Sequence, residues 1–469
     1  GATIESGGDV QITAGGETTL KSAADREYSH SRTKKSGFMK SADHIAESES
    51  VKQSGSTVTA KSGLTVVSGG DVNITASTVN TGGDAAILAG YAVNADGTVT
   101  RNESGSLNIT NDYDSERRYE KHERKSSVDA IKSIASETAK LVATGGMSAY
   151  AGMADNRGKA GVEATIGRRT KTESETASKT AVGSVLNVGG DLTASAAENI
   201  TIKGSDITGG GDIALIAGKD VNILSSENTT SESSRTETTT VKASAQTGNA
   251  YADAGYAAYD IVEAEKNVER AKSELNKTQR LHNEGRASAD AVADAKENLK
   301  MAELNLASSI TLAAKATKDA AQAASTSFGT GFYGELGVAH ETTRTDSENQ
   351  TVTSRGTTIL AERDILIDAG NDLTQNGGLV ASETGNIKYI ADRDLNLTAG
   401  RNDSSSRTEE KQTGVSAGIS SKSTITASTS KSKQSSSSQS TEYINAATVA
   451  KSGRIEYTVG NDMNASGYN

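Results

Sequence analysis

Three kinds of residue in this chain could do chemistry. Nine aspartates, Asp9, Asp71, Asp84, Asp191, Asp212, Asp220, Asp364, Asp372 and Asp394, recur in similar Gly-Asp, Lys/Arg-Asp or Asn-Asp contexts. Stacked, they would form a carboxylate ladder able to bind Ca²⁺, or the paired acid and base of a polysaccharide-cleaving enzyme. The bland alternative is structural: Asp and Asn after Gly favour turns and bond their own backbone. The Ca²⁺-binding GGxGxD pattern is missing, and a chain without Trp lacks the usual aromatic platform of a sugar cleft. A corner role is therefore expected, with no catalytic, cofactor-binding or metal site assigned.

The five histidines, His30, His44, His122, His282 and His340, are scattered, with no i, i+4 pair and no HExxH. Serine is abundant, but no GxSxG elbow accompanies it. The chain is expected not to be an enzyme and to use no cofactor. A β-helix polysaccharide lyase or hydrolase is the alternative from another class.

The aspartates sit between short alternating runs. In GDIALIAGKDVNILSS, from Gly211, the residues Ile213, Leu215, Val221 and Ile223 point one way, the period of a strand. Asp191 to Asp212 and Asn199 to Asp220 are both steps of 21, while Asp364 to Asn386 and Asp372 to Asp394 are steps of 22. Such a period fits three short strands and three turns, with no room for a helix. The expected fold is mainly β: a parallel β-helix of about nine rungs, its bore filled by Ile, Val and Leu, with rungs about 4.8 Å apart.

The repeat occupies 1–21, 55–110, 181–226, 352–399 and 442–469, and polar excursions interrupt it at 22–54, 111–180, 227–351 and 400–441. The excursions read as projecting β-hairpins, polar on both faces and unable to join a core. Only GVEATIG (Val162, Ala164, Ile166), GELGVAH and GVSAGIS (Val415, Ala417, Ile419) alternate with apolar residues, so soluble hairpins are favoured over membrane strands. A short helix is expected over 127–143. A long α-helical coiled-coil hairpin is expected over 256–324, on a seam of Ile261, Ala264, Val268, Ala271 and Leu275 that resumes from Val292 to Ala323. About as long as the shaft, it is expected to reach outward and contact something.

Composition agrees with export. There is no Pro and no Cys among 469 residues, where average usage of about 5% would give roughly two dozen prolines. A chain that stays unfolded during passage and then folds quickly gains from lacking slow X-Pro isomerisation and disulfides. The net charge of −11 is spread rather than blocked, which argues against a nucleic-acid partner. No run of about 18 apolar residues is present. The opening GATIESGGDV reads as the middle of a repeat, so the chain is expected to be an internal part of something longer.

The phrases GGDVNITAS, GGDLTASAAENITIKGS and GNIKYIADRDLNLTAG, followed by arms such as SSENTTSESSRTE and RNDSSSRTEE, resemble the haemagglutinin repeats of filamentous-haemagglutinin-like exoproteins. Those are large two-partner-secretion proteins of Gram-negative bacteria, including adhesins and the toxin-delivery proteins of contact-dependent growth inhibition. The resemblance implies a right-handed β-helix shaft, secreted or held at the cell surface, with an outer-membrane transporter as partner and no small-molecule substrate. It also implies contact with a target cell's surface or outer membrane. The helical stretch around NEGRASADAVADAKENL is similar to the coiled-coil hairpins of outer-membrane efflux proteins.

Overall fold

The computed structural model describes residues 1–127, 160–283, 289–324, 332–420 and 424–467. The helix expected over 127–143 lies outside these residues except for Ser127. The described chain is mainly β, and its short strands build three parallel eight-stranded sheets. Each turn of chain contributes one strand to each sheet. In the fifth turn these are Asp206–Gly209, Ile213–Ala217 and Val221–Leu224, and each pairs in parallel with its copy one turn before and after. Ile213 lies over Leu192 and under Ile365 without slippage. Among the described residues there are eight rungs, not nine, so the stack is about 34 Å long at a strand spacing of about 4.8 Å.

Alternation explains the core. Because successive side chains point to opposite faces of a strand, every second residue enters the bore. One such column runs Val66, Ile87, Ala194, Leu215, Ile367 and Tyr389, all buried. Near the last rungs a few polar side chains enter the apolar bore, and they satisfy one another. The Tyr389 hydroxyl donates to Gln375 Oε1 at 2.9 Å and lies 2.8 Å from Thr448 Oγ1, as buried polar atoms require.

The excursions all leave from one corner, between the third sheet and the first. Arm one runs out along Ala23–Gly37 and back along Lys40–Ser54; arm two uses Asp112–Ser126 and Ala160–Val182. Arm three uses Ser226–Asn249 and Phe332–Arg355, and arm four Gly400–Ser420 and Thr424–Ile444. At the corners between arms the chain turns within two residues, Ala76-Ser77, Gly204-Ser205 or Gly377-Gly378. The first residue of each pair takes a left-handed φ, 45° at Ala76, 51° at Gly204 and 66° at Gly377. Glycine adopts that conformation without the Cβ penalty that Ala76 carries.

The arms are not separate projections. They pair edge to edge into one antiparallel eight-stranded sheet, in the order arm four, three, two, one. The reason is geometric. An outgoing strand leaves at the level of one rung and its return arrives at the next, so every rung level holds one arm strand, and strand spacing in the sheet equals rung spacing in the shaft. An arm at every corner would put two strands at one level; an arm at every second corner fills the sheet without gaps.

Two further elements interrupt the pattern. A small hairpin, Tyr91–Val93 with Val99–Arg101, sits on the third rung and is anchored by Arg101, which donates to the carbonyls of Ala196 and Ala197. The tip of arm three carries two helices, α1 (Ala250–Asn283) and α2 (Ala289–Ala324), which pack against each other. The seam positions Ala264, Val268 and Ala295 are buried between them.

Candidate functional site

The aspartates are the first candidates. They form two corner ladders in which each carboxylate serves the rung above, not its own backbone as the turn reading expected. Asp84 Oδ1 accepts the Asp191 amide at 2.9 Å, Asp191 accepts that of Asp212 at 2.8 Å, and Asp212 that of Asp364 at 3.0 Å. On the second ladder Asn199, Asp220, Asp372 and Asp394 accept amides in the same way; near the chain's start Asp9 and Asp71 serve Gly63 and Ser106. Stacked carboxylates repel, and arginines answer the charge. Arg363 contacts Asp191 and Asp212. The Arg393 guanidinium holds the Asp372 carboxyl below the ordinary carboxylate range. At Asp191 the amide of Asp212 is the main cause of the same lowering, with Arg363 second.

The ladders make a direct prediction. Asp220→Asn keeps the acceptor that Asn199 already supplies one rung below, and it should leave urea-unfolding stability unchanged. Asp220→Ala removes the acceptor and should cost about 1 kcal/mol. Equal loss in both variants would show that the charge, not the acceptor, matters.

A third ladder escaped the sequence reading. At the arm corner the buried Ser77, Ser184 and Ser205 hydroxyls accept the amides of Ser56, Ser77 and Ser184. The signal is the serine immediately before four strands of the first sheet, at Ser56, Ser77, Ser184 and Ser205, hidden among the many other serines.

The arm sheet is the larger surface. Its register sorts side chains by face. On one face ion pairs cross the strands: Arg117 to Glu175 at 2.5 Å, Arg169 to Glu123 at 3.0 Å and Arg235 to Asp346 at 2.7 Å. On the other, hydroxyl and amide groups meet, as in Ser29 with Ser48, Thr172 with Thr236, and Ser406 with Asn349. Opposite charges facing across strands, directly as in Arg235–Asp346 or on the diagonal as in Arg117–Glu175 and Arg169–Glu123, favour one pairing over a slipped one. That is the use of the charged run Arg117 to Lys125.

Farther from the shaft the ion-paired face becomes apolar. Leu336, Ile419 and Ile425 lie in one row across three strands, with Val338, Ala417 and Ala427 in the next. Leu336 is 67% exposed, Ile419 65% and Ile425 78%. The half-apolar stretches of arms three and four thus meet on one face, joined by Ala164 of arm two, while a bulge between Thr165 and Gly167 takes Ile166 off the row.

The helical pair does not reach outward, as its length suggested. From the arm tip α1 folds back toward the shaft over the ion-paired face, so that Arg270, Glu274 and Thr278 border a gap above Ser405, Arg407 and Gln439. Lys433, 13% exposed, fastens it: its ammonium lies 3.1 Å from Asp294, 3.4 Å from Glu297 and 3.6 Å from Glu409. The Ser435 hydroxyl donates to Asp294 at 2.6 Å. Burial works against the Asp294 carboxylate, and Ser435 and Lys433 more than offset it, so its pKa lies below the ordinary range. Lys433 is raised, chiefly by its bond to Asp294.

The histidines fall on different parts. His30 sits beside Glu47 and His340 lies opposite Val415 on the ion-paired face; His282 is near the end of α1. His44 and His122 face each other across the joint between arms one and two. Among the described residues no group of three His, Cys, Asp or Glu side chains gathers as a metal site, and no helix is long and apolar enough to cross a membrane.

The family model of the hemagglutinin repeat matches residues 165–302 and 336–469, more than half of the chain. No curated protein and no solved structure matches it. Both matched regions begin in a returning arm strand, run through two rungs and enter the next outgoing arm, the first continuing into the helices and the second through the last rung. That is the unit from which the shaft and arm sheet are built together, and by it the chain belongs to the hemagglutinin-repeat family of filamentous-haemagglutinin-like proteins.

Proposed function

We propose that this chain is shaft from a secreted, non-enzymatic exoprotein that mediates cell–cell contact, as an adhesin or as the carrier of a toxin to a target cell. In this reading the rungs wind right-handed, the helical pair is a coiled-coil hairpin, and an outer-membrane two-partner transporter exports the chain. The surface that touches the target is the arm sheet, not the shaft. One observation carries the reading: the exposed apolar rows led by Leu336, Ile419 and Ile425 lie at the end of the sheet farthest from the rungs. Contiguous exposed apolar surface of this kind marks an interaction site.

The test is flotation with vesicles made from Gram-negative outer-membrane lipids. The chain is expected to rise with the vesicles. A Leu336→Asp, Ile419→Asp, Ile425→Asp variant should stay at the bottom while keeping its β-sheet circular dichroism. A wild-type chain that never floats, or a variant that floats equally well, would remove the apolar rows as the contact surface.

A further inference from the structure

We propose that His44 and His122 form a two-histidine site for a divalent transition-metal ion, and that the bound ion clasps arm one to arm two. The two residues are 78 apart in sequence, and the arm register places them directly opposite on neighbouring strands, Lys40–Ser54 and Asp112–Ser126. Their Nδ1 atoms are 3.4 Å apart and their ring centroids 5.6 Å. Two nitrogens bound at 2.0–2.1 Å to one tetrahedral ion are themselves about 3.4 Å apart. The spacing therefore suits a shared ion once each ring turns about its Cβ–Cγ bond to aim its lone pair at the common point.

The surroundings leave room for it. His44 is flanked along its strand by Ala42 and Ala46, and across from the pair stand Thr33 on one side and Thr172 on the other. Small side chains and hydroxyls admit the water that completes the coordination. Two charged groups flank His122 along its strand. Glu120 accepts from Arg118 at 3.0 Å, and Arg124 opposes a cation. Imidazole nitrogen selects Zn²⁺, Ni²⁺ or Cu²⁺ over Mg²⁺ or Ca²⁺, which prefer oxygen. With two protein ligands the site binds more weakly than a closed four-ligand site.

The position gives the ion a consequence. Among the described residues arm one pairs with the rest of the sheet along the strand that holds His44, with Met39 in its turn accepting from Ser127, because its other strand, Ala23–Gly37, is the sheet edge. A metal bridge at this joint ties the edge hairpin to its neighbour.

Zn²⁺ is titrated into the whole chain, with calorimetry for binding, the imidazole C2–H resonances for the ligands, and amide exchange for the clasp. Binding of Zn²⁺ is expected to perturb two histidines, and to weaken at least tenfold in His44→Ala and in His122→Ala separately. Zn²⁺ should slow exchange across Lys40–Ser54 in the wild type and in neither variant, with circular dichroism reporting that both stay folded. Binding that persists unchanged in both variants, perturbs other histidines, or leaves exchange of that strand unaltered would overturn the proposal, as would no binding at millimolar Zn²⁺.

Discussion

Deleting one arm-free turn of chain, Ser184 to Gly204, is expected to break the arm sheet while leaving the shaft intact. The cut is conservative for the rungs. Gly183-Ser184 and Gly204-Ser205 occupy equivalent corners, and the Ser184 amide already donates to the Ser205 hydroxyl one rung above at 3.1 Å. The chain is therefore rejoined with the sheets still in register. For the arms the cut is severe. The return strand of arm two, Ala160–Val182, and the outgoing strand of arm three, Ser226–Asn249, normally occupy successive rung levels and pair over most of their length. With one rung gone they must leave the same level, about 4.8 Å being the room for one strand and not two. One arm has to move out of the sheet. Amide exchange should then show lost protection over Arg168–Lys179 and Thr229–Thr240, with cooperative melting of the shaft retained. Unchanged protection there would show that the arms find their register without the rung pitch.

Within the shaft the largest single-residue effect is expected at Leu215. It is fully buried, with Ala194 below it and Ile367 above. Leu215→Ala would set two alanines on top of each other and open a void spanning two layers. Core truncations cost about 2–5 kcal/mol, and the cost rises with the cavity that remains. Rung spacing is held by three parallel ladders, so this site closes poorly, and about 4 kcal/mol is expected in urea unfolding. Ile367→Ala, flanked by Leu215 and Tyr389, should cost less. A loss below about 1 kcal/mol at Leu215 would mean that the rungs collapse inward and that the column is not the unit of stability.

The joining of the arms was hidden for a physical reason. A strand with one apolar face announces which side is buried. TTSESSRTETTT has no such face, so nothing in it separates a free hairpin from the interior of a sheet. What it does carry is charge that finds its partner across the strands, Arg235 directly against Asp346, as Arg117 meets Glu175 on the diagonal in arm two, and that becomes visible only once the partner strand is known. The same holds for Lys433 with Asp294, and for His44 with His122: each pair comes from segments far apart in the chain that only the fold brings together.

The rung and the helical seam, by contrast, are local periodicities. Ile213, Leu215, Val221 and Ile223 repeat at 2 within a strand and at 21 or 22 between rungs, and Ala264 and Val268 lie on a 3-4 stepping; these spacings state, without a partner, which atoms avoid water. Hence the stacked parallel strands, the Val, Ile and Leu bore and the aspartate corners were legible in the chain alone. Tertiary structure decided how the polar excursions pair, that the aspartates serve the rung above, and that the helices fold back over the sheet. The first two depend on one distance, the spacing common to stacked rungs and paired strands, which no stretch of sequence encodes; the third depends on Lys433 and Ser435 meeting Asp294.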